Sequence, residues 1–151
     1  MDWYIKTFEQ LNTNELYDLL KLRVDVFVVE QECFYPDLDD LDRISSTKHL
    51  FCYQNKKMVA YCRVLAPDIV YDNESAIGRV IISEDVRGQK LGYTLMEKAI
   101  NVVNKHWPKH TCHISAQQHL HNFYQRLGFE QISEMYLEDG IPHIAMRRQA
   151  N

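Results

Sequence analysis

The chain alternates strand-like and helix-like hydrophobic patterns over most of its length. Short apolar runs bounded by polar turns predict strands, and apolar residues that recur every three or four positions predict helices. The predicted strands cover residues 3–8, 49–53, 58–66, 76–82, 113–116, 131–138 and 143–148. Helices are predicted from Asn12 through Val28, over residues 90–105, and around Tyr124. This order indicates an α/β chain in which a mixed sheet is flanked by helices.

Local signals support several element boundaries. Asn12, with Glu15 three residues later, has the form of a helix start. Residues 54–57 predict a hairpin turn, and Asp139 followed by Gly140 is a stronger hairpin signal. Gly128 is expected to end the helix around Tyr124 in a left-handed conformation.

Composition limits the classes of protein that fit. The 151 residues suit a single domain over residues 1–151, and 46% hydrophobic with 25% charged residues is ordinary for a globular protein. A net charge of −4 argues against nucleic-acid binding and favours a cationic partner. No apolar stretch reaches the roughly 18 residues that span a membrane, so we expect a cytoplasmic protein without a membrane partner.

Metal and redox chemistry find little support in the cysteines and histidines. The four cysteines contain no Cys-x-x-Cys pair and are expected to be reduced and partly buried. His106, His110, Cys112 and His113 lie close in sequence, but their spacing straddles Pro108 and a predicted loop. We therefore expect no metal site.

The segment from Ile77 to Gly92 runs from an apolar strand through an arginine- and glycine-containing loop into a helix. The first turn of a helix presents unpaired backbone N–H groups, and its dipole is positive there, so a phosphate is stabilised. Gly88 and Gly92 allow close approach of the backbone, and Arg87 and Lys90 add positive charge. The segment predicts a phosphate site, with a solvated helix start as the alternative.

Two common phosphate loops do not match this segment. A P-loop ends in Gly-Lys-Ser/Thr, whereas Gly92 is followed by Tyr93 and Thr94. A dinucleotide fingerprint needs three glycines after the first strand of a βαβ unit, which the loop lacks. The segment instead resembles the pyrophosphate loop of the GNAT N-acetyltransferase superfamily, Gln/Arg-x-x-Gly-x-Gly/Ala. It departs at Lys90, where the family normally has glycine and where a side chain would either crowd the phosphates or pair with them.

A second motif lies one helix and one strand further along. Residues 119–129 predict a short amphipathic helix. The run from Phe123 to Phe129 is similar to the Phe-Tyr-x-x-x-Gly-Phe signature of the same superfamily. In relatives that tyrosine lies beside the thioester sulfur and acts as general acid, a role the resemblance implies for Tyr124. A core aromatic residue without a chemical role is the alternative.

Further segments, at residues 23–31, 35–42 and 138–146, resemble the ElaA-like branch of the superfamily. The resemblance implies a GNAT fold with a central, mixed and mostly antiparallel sheet. It implies an N-acetyltransferase in which a primary amine attacks acetyl-CoA directly in a ternary complex. The acceptor would be a small-molecule amine or a protein lysine, and the chain a monomer or a homodimer. A non-catalytic acyl-CoA sensor and transfer of a longer acyl group are the alternatives.

The resemblance also implies which residues bind the donor. In the family the fourth strand splays from the fifth, and its backbone binds the pantetheine arm and polarises the carbonyl. In the family, a polar residue that ends the fifth strand contacts CoA. Its counterpart in this chain is Gln117, which is also a candidate cap for the next helix. The implied donor-binding residues are Val80, Ile81, Ile82, Arg87, Gly88, Gln89, Lys90, Leu91, Gly92 and Gln117.

Several groups are candidates for the general base. An amine attacks a thioester only as the free base, so a proton must be removed. Glu30 and His143 are the leading candidates, because imidazole titrates near neutral pH and burial raises a carboxyl pKa towards it. Glu84, Glu138 and deprotonation by solvent are alternatives, and a structural hydrogen bond is the alternative role for His143.

The acceptor is expected among segments that surround the thioester in relatives. The implied acceptor-binding residues are Phe27, Glu30, Asp37, Glu138 and His143. Most are anionic near neutral pH and would attract a cationic amine. The acidic loop lacks the glycine and terminal glutamate of a calcium site and is expected to be solvated, at Asp37, Asp39, Asp40 and Asp42.

Overall fold

The computed structural model describes residues 1–150, which contain eight strands and three α-helices. The strands are β1 (Asp2–Lys6), β2 (Lys48–Gln54), β3 (Lys57–Leu65), β4 (Ser75–Ile82), β5 (Cys112–Gln117), β6 (Glu130–Gln131), β7 (Tyr136–Glu138) and β8 (Ile141–Arg148). The α-helices are α1 (Thr13–Arg23), α2 (Leu91–His106) and α3 (His121–Arg126). The other helical turns are a π-helical segment at Val24–Glu30 and 3₁₀ helices at Phe8–Gln10, Leu41–Arg43, Glu84–Val86 and Gln118–Leu120.

All eight strands belong to one sheet of order β1-β2-β3-β4-β5-β8-β6, with β7 also paired to β8. Every pairing is antiparallel except the parallel one between β4 and β5. The predicted mixed, mostly antiparallel sheet flanked by helices is therefore confirmed.

The start of α1 follows the sequence signal closely. The Asn12 side chain accepts from the backbone N–H of Glu15 at 2.8 Å, and the Glu15 carboxylate accepts from the backbone N–H of Asn12 at 2.9 Å. This reciprocal cap satisfies two backbone donors that a helix start otherwise leaves unpaired. Lys6 also pairs with Glu15 at 2.8 Å, which ties α1 to the end of β1.

Two apolar clusters cover the opposite faces of the sheet. Leu95 and Met96 of α2 belong to the larger cluster, and Leu19 of α1 belongs to the smaller one. In β3, Cys62 faces the first cluster and its neighbour Tyr61 the second, as side chains alternate along a strand. Burial of each large apolar side chain contributes about 1.5–3 kcal/mol, so these clusters hold the helices on the sheet.

The sheet divides between β4 and β5. Only two residue pairs join these strands, Ser75 with Cys112 and Ala76 with His113. Beyond these pairs the strands are no longer hydrogen-bonded to each other, and a cleft opens between them. The cleft therefore follows the carboxyl ends of two parallel strands, where open α/β sheets commonly bind ligands.

The predicted turns agree with the structure, whereas one predicted strand does not. Both predicted hairpin turns are present, with positive φ at Asn55, Lys56, Asp139 and Gly140. The single strand expected over residues 131–138 is wrong, because it is divided into β6 and β7. Between them, Ser133 accepts the backbone N–H of Ala145 through its side chain at 2.9 Å, in place of a regular ladder bond.

The histidines considered as metal ligands have other neighbours. His110 contacts the Asn73 carbonyl at 2.9 Å, and His113 stacks on Tyr71 with 3.6 Å between ring centroids. Within residues 1–150, no three potential metal-ligating side chains are gathered. No helix in this part of the chain has the length and apolar character needed to cross a membrane.

Candidate active site

The cleft between β4 and β5 has a volume of about 580 Å³. Its walls come from the π-helical segment, β4, β5, α3 and the β7–β8 hairpin. These elements bring together most of the side chains that the sequence singled out. The predicted site residues that line the cleft are Phe27, Glu30, Val80, Ile81, Ile82, Arg87, Gly92, Gln117, Tyr124, Glu138 and His143.

Other predicted site residues lie outside the lining of the cleft. Gly88, Gln89 and Lys90 are exposed in the loop that leads into α2, and Leu91 is buried in the apolar core. Asp37 is buried elsewhere, as described below. Glu84, an alternative base, is exposed in the 3₁₀ helix that precedes the loop.

The loop before α2 has the backbone geometry of an anion site. Gly88 has a φ of +88°, which a residue with a side chain adopts only with strain. Lys90 is the N-cap of α2, and its side chain makes no capping bond, so side chains leave the first-turn N–H groups uncapped. A Cβ atom added to Gly92 would lie 3.4 Å from the Phe123 ring, an ordinary contact distance, so only a side chain larger than that of alanine would press on α3.

Lys90 itself is in the left-handed region, with a φ of +58°. A non-glycine residue there costs about 1–2 kcal/mol, which gives a physical reason for glycine at this position in relatives. The Lys90 side chain is exposed, and it forms no ion pair within residues 1–150. Its ammonium group is therefore available to a phosphate.

Arg87 lies in the loop before α2 and reaches the opposite wall of the cleft. Its Nε donates to the Ile82 carbonyl at 3.0 Å, and its two terminal nitrogens donate to the Glu30 carboxylate at 3.0 and 2.8 Å. The side chains of Arg87 and Glu30 remain 43% and 35% exposed. An exposed pair of this kind contributes about 0–1 kcal/mol, so a phosphate can displace Glu30 at little cost.

Tyr124 is buried in the cleft wall. Its ring packs edge-on against Phe123 and Phe129, with centroid distances of 5.0 and 6.0 Å. Burial raises the pKa of Tyr124 well above its usual value, so the phenol stays protonated near neutral pH. The hydroxyl group makes no side-chain hydrogen bond within residues 1–150 and is free to donate into the cleft.

Strand β4 carries a bulge where it lines the cleft. Tyr61 pairs with Ile81 and Arg63 with Gly78, so one residue of β3 faces two of β4. Arg79 lies in the bulge with a φ of +52°. A bulge bends a strand and redirects its backbone groups. The sequence prediction missed Arg79, although a glycine followed by a charge inside an apolar strand is a recognisable bulge signal.

A buried network of three arginines and three aspartates supports this wall. Arg23 donates to Asp37 and Asp42, both at 2.7 Å, and its own side chain has no exposed surface. Arg79 donates to Asp37 at 2.9 Å, and Arg63 donates to Asp39 and Asp42. Positive and negative groups balance in number, as a buried network requires.

The solvated acidic loop expected from the sequence is therefore wrong for Asp37 and Asp42, which are 4% and 6% exposed. Burial opposes ionisation, but hydrogen bonds from Arg23 and the nearby charges hold the pKa of Asp42 below its usual value. Because arginines already neutralise Asp37, and because it does not line the cleft, its position does not suit the attraction of a cationic acceptor.

A separate polar cluster lies at the hairpin end of the cleft. His143 Nδ1 is 2.7 Å from the Ile141 carbonyl, and His143 Nε2 is 3.3 Å from a carboxylate oxygen of Glu138. The other Glu138 oxygen accepts from Ser115 at 3.1 Å, and Ser115 contacts the Tyr136 hydroxyl at 2.5 Å. Ser115 and Tyr136 were missed because nothing in the sequence shows that β5 and β7 both pair with β8.

Two further contacts define the ends of the site. Gln117 ends β5 and occupies the N-cap position of the 3₁₀ helix Gln118–Leu120, but its side chain makes no capping hydrogen bond there. Cys33 donates to the Asp139 carbonyl at 3.3 Å, which links the loop after the π-helical segment to the β7–β8 hairpin.

Comparison with known proteins agrees with this architecture. Residues 20–150 match the acetyltransferase (GNAT) domain family. The chain is 44% identical to protein ElaA of Escherichia coli strain K12 over 149 residues, which covers 99% of this chain and 97% of that protein.

Two solved structures resemble this chain at a TM-score of 0.92 and 44% identity. They are an acyl-CoA N-acyltransferase from Pseudomonas aeruginosa and Escherichia coli ElaA, and each match covers 98% of this chain and 99% of the other. The resemblance predicted from the two motifs is therefore confirmed. The chain belongs to the GNAT acetyltransferase family, in the branch that includes ElaA, and is an acyl-CoA-dependent acyltransferase.

Proposed function

We propose that this protein is an N-acetyltransferase that joins the acetyl group of acetyl-CoA to a primary amine by direct attack in a ternary complex. One observation carries the proposal. A single cleft has Arg87 and Gly92 from the loop and helix start at one end, a buried phenol in its wall and a carboxylate beside an imidazole at the other end. These are the groups that a phosphate-bearing thioester and a protonated amine require.

The donor-binding half fits acetyl-CoA in the order of its groups along the cleft. The uncapped start of α2, together with Gly88 and Lys90, would hold the pyrophosphate. Beyond the two pairs that join them, β4 and β5 are not bonded to each other, so the backbone of Val80 and Ile82, which line the cleft, would be available to the pantetheine arm. Gln117 lies on β5, on the other side of the cleft, and would offer its side-chain amide to CoA.

Proton accounting assigns the chemical roles. An alkyl ammonium must lose one proton before it attacks, and the nitrogen loses a second as the amide forms. The carbon–sulfur bond breaks, and one proton ends on the CoA sulfur while the other reaches solvent. Tyr124, kept protonated by burial, is suited to supply the proton to sulfur.

His143 is better placed than Glu30 to receive the first proton. The Glu30 carboxylate is engaged by both terminal nitrogens of Arg87. His143 lines the cleft with one ring nitrogen held by a carbonyl and the other turned towards Glu138. We therefore assign His143 as the base, and Glu30 as a group that becomes available to the acceptor when Arg87 turns to phosphate.

Replacement of Tyr124 by phenylalanine tests the proposal. The ring packing is kept and the proton donor is lost, so turnover should fall by roughly 10²- to 10⁴-fold. Acetyl-CoA affinity, measured by calorimetry, should change little. Tyr17→Phe is the control, since Tyr17 is 69% exposed and distant from the cleft.

The results separate the two candidate functions. The catalytic function is supported if the wild type releases CoA thiol in a screen of amines and Tyr124→Phe does not. Wild type that binds acetyl-CoA but releases no thiol with any amine favours the sensor, for which the departure at Lys90 is the sequence feature. Unchanged, chemistry-limited turnover in Tyr124→Phe refutes the acid role.

A further inference from the structure

Four side chains form a chain of contacts at the acceptor end of the cleft. Glu138 Oε1 accepts a hydrogen bond from Ser115 Oγ at 3.1 Å, and Ser115 Oγ is 2.5 Å from the Tyr136 hydroxyl. Glu138 Oε2 is 3.3 Å from His143 Nε2. Three separate strands, β5, β7 and β8, supply these groups. Ser115, Glu138 and His143 line the cleft.

The direction of each hydrogen bond follows from what each group can donate. A carboxylate only accepts, so Ser115 gives its single proton to Glu138. The Tyr136 hydroxyl must therefore donate to Ser115 Oγ. Likewise the Ile141 carbonyl only accepts, so His143 carries a proton on Nδ1. In the neutral ring the lone pair is then on Nε2, on the side of Glu138.

We propose that Ser115 and Tyr136 are positioning residues that hold the Glu138 carboxylate against His143, so that Glu138 and His143 together receive and deprotonate the acceptor ammonium. This inference rests on the proposed function. Without Ser115, Glu138 would be free to turn into solvent, since its side chain is 49% exposed. The ordered carboxylate and the Nε2 lone pair present two acceptors to the N–H groups of one ammonium.

The step balances in protons and charge. The ammonium donates one N–H towards Glu138 Oε2 and transfers another proton to His143 Nε2. The products are a neutral amine and an imidazolium, which the adjacent carboxylate stabilises. The imidazolium later returns its proton to solvent. Tyr71 is influenced by the charges of this cluster; burial, followed by the charges of Tyr136 and Glu138, raises its pKa to about 12, so it does not compete as a base.

Two acceptors of nearly equal size test the proposal. Ethylamine is an ammonium near neutral pH, whereas methoxyamine is already a free base there. Release of CoA thiol is measured at saturating acetyl-CoA for the wild type, Ser115→Ala, Ser115→Thr, Tyr136→Phe and Glu138→Gln. Ser115→Thr keeps the hydroxyl group and is the conservative rescue variant.

Ser115→Ala and Tyr136→Phe should lower kcat with ethylamine by roughly 10- to 100-fold, the usual effect of a misplaced catalytic group. Methoxyamine turnover should fall less than threefold, and the KM for acetyl-CoA should not change. Ser115→Thr should restore most of the ethylamine activity. Glu138→Gln should show the same preference for methoxyamine as Ser115→Ala.

Equal losses with both amines, or a Ser115→Thr variant as poor as Ser115→Ala, would overturn the positioning role and show a structural defect. Failure of the proposed function has a different signature. In that case the wild type itself releases no thiol with either amine, although it binds acetyl-CoA.

Discussion

The proposed donor and acceptor halves of the cleft are built in different ways. Most residues of the proposed donor half come from one continuous stretch, from β4 through the loop to the start of α2. The acceptor half uses side chains from the π-helical segment, β5 and the β7–β8 hairpin, and its wall rests on charges brought from α1 and β3. The difference teaches that a contiguous backbone site is robust, whereas a site of side chains depends on a distant scaffold.

The largest expected effect comes from breaking that scaffold. Arg23→Met removes a fully buried charge and leaves Asp37 and Asp42 short of a partner. We expect the free energy of unfolding to fall by about 3–5 kcal/mol, measured by urea denaturation. Lys21→Met is the matched control, because the Lys21–Asp25 pair is exposed to solvent and its loss should change the free energy of unfolding far less. Similar losses in the two variants would show that the buried network is not a scaffold.

Two glycine substitutions test whether the donor and acceptor halves of the cleft can be perturbed separately. Gly88 and Gly140 have φ of +88° and +79°, and an added Cβ would meet no atom within 4 Å at either position. Each change to alanine should therefore destabilise the fold by about 1–2 kcal/mol through backbone strain, without a steric clash. Gly88→Ala should weaken acetyl-CoA binding, and Gly140→Ala should raise the acceptor KM. The measurement is the KM of each variant for acetyl-CoA and for the acceptor. An effect of Gly88→Ala on the acceptor KM, or of Gly140→Ala on the KM for acetyl-CoA, would contradict the division.

Lys90 gives the smallest expected effect. Lys90→Gly should raise the free energy of unfolding by up to about 1 kcal/mol, because it relieves the left-handed strain, whereas Lys90→Ala should not. Both variants should weaken acetyl-CoA binding by roughly two- to fivefold, through loss of one exposed charge near a helix N-terminus. Tighter binding by Lys90→Gly would instead mean that the side chain crowds the phosphates.

The donor half was largely predictable because its information is local. The apolar run of β4, the positive loop and the helix that follows are consecutive in sequence. Gly88 stands where the backbone is left-handed, with a φ of +88°. Strand ends differed by one or two residues, as expected when boundaries depend on caps and fraying. The fold followed from the same two motifs.

The acceptor half was only partly predictable because its partners are far apart in sequence. The acidic run at Asp37 to Asp42 suggested solvation, yet the arginines that pair with it lie in α1, β3 and β4. Similarly, Glu138 and His143 were selected as candidates, but the contact of Glu138 with Ser115 depends on the register of the sheet. Hydrophobic periodicity does not show which charged residues pair across the fold.

The two residue pairs that join β4 and β5 have a consequence for how this protein can diversify. Pairing stops after Ala76 and His113, so backbone hydrogen bonds set the point at which the cleft begins. Mutations of lining side chains beyond this point can therefore change the contacts offered to an acceptor while the start of the cleft stays where it is.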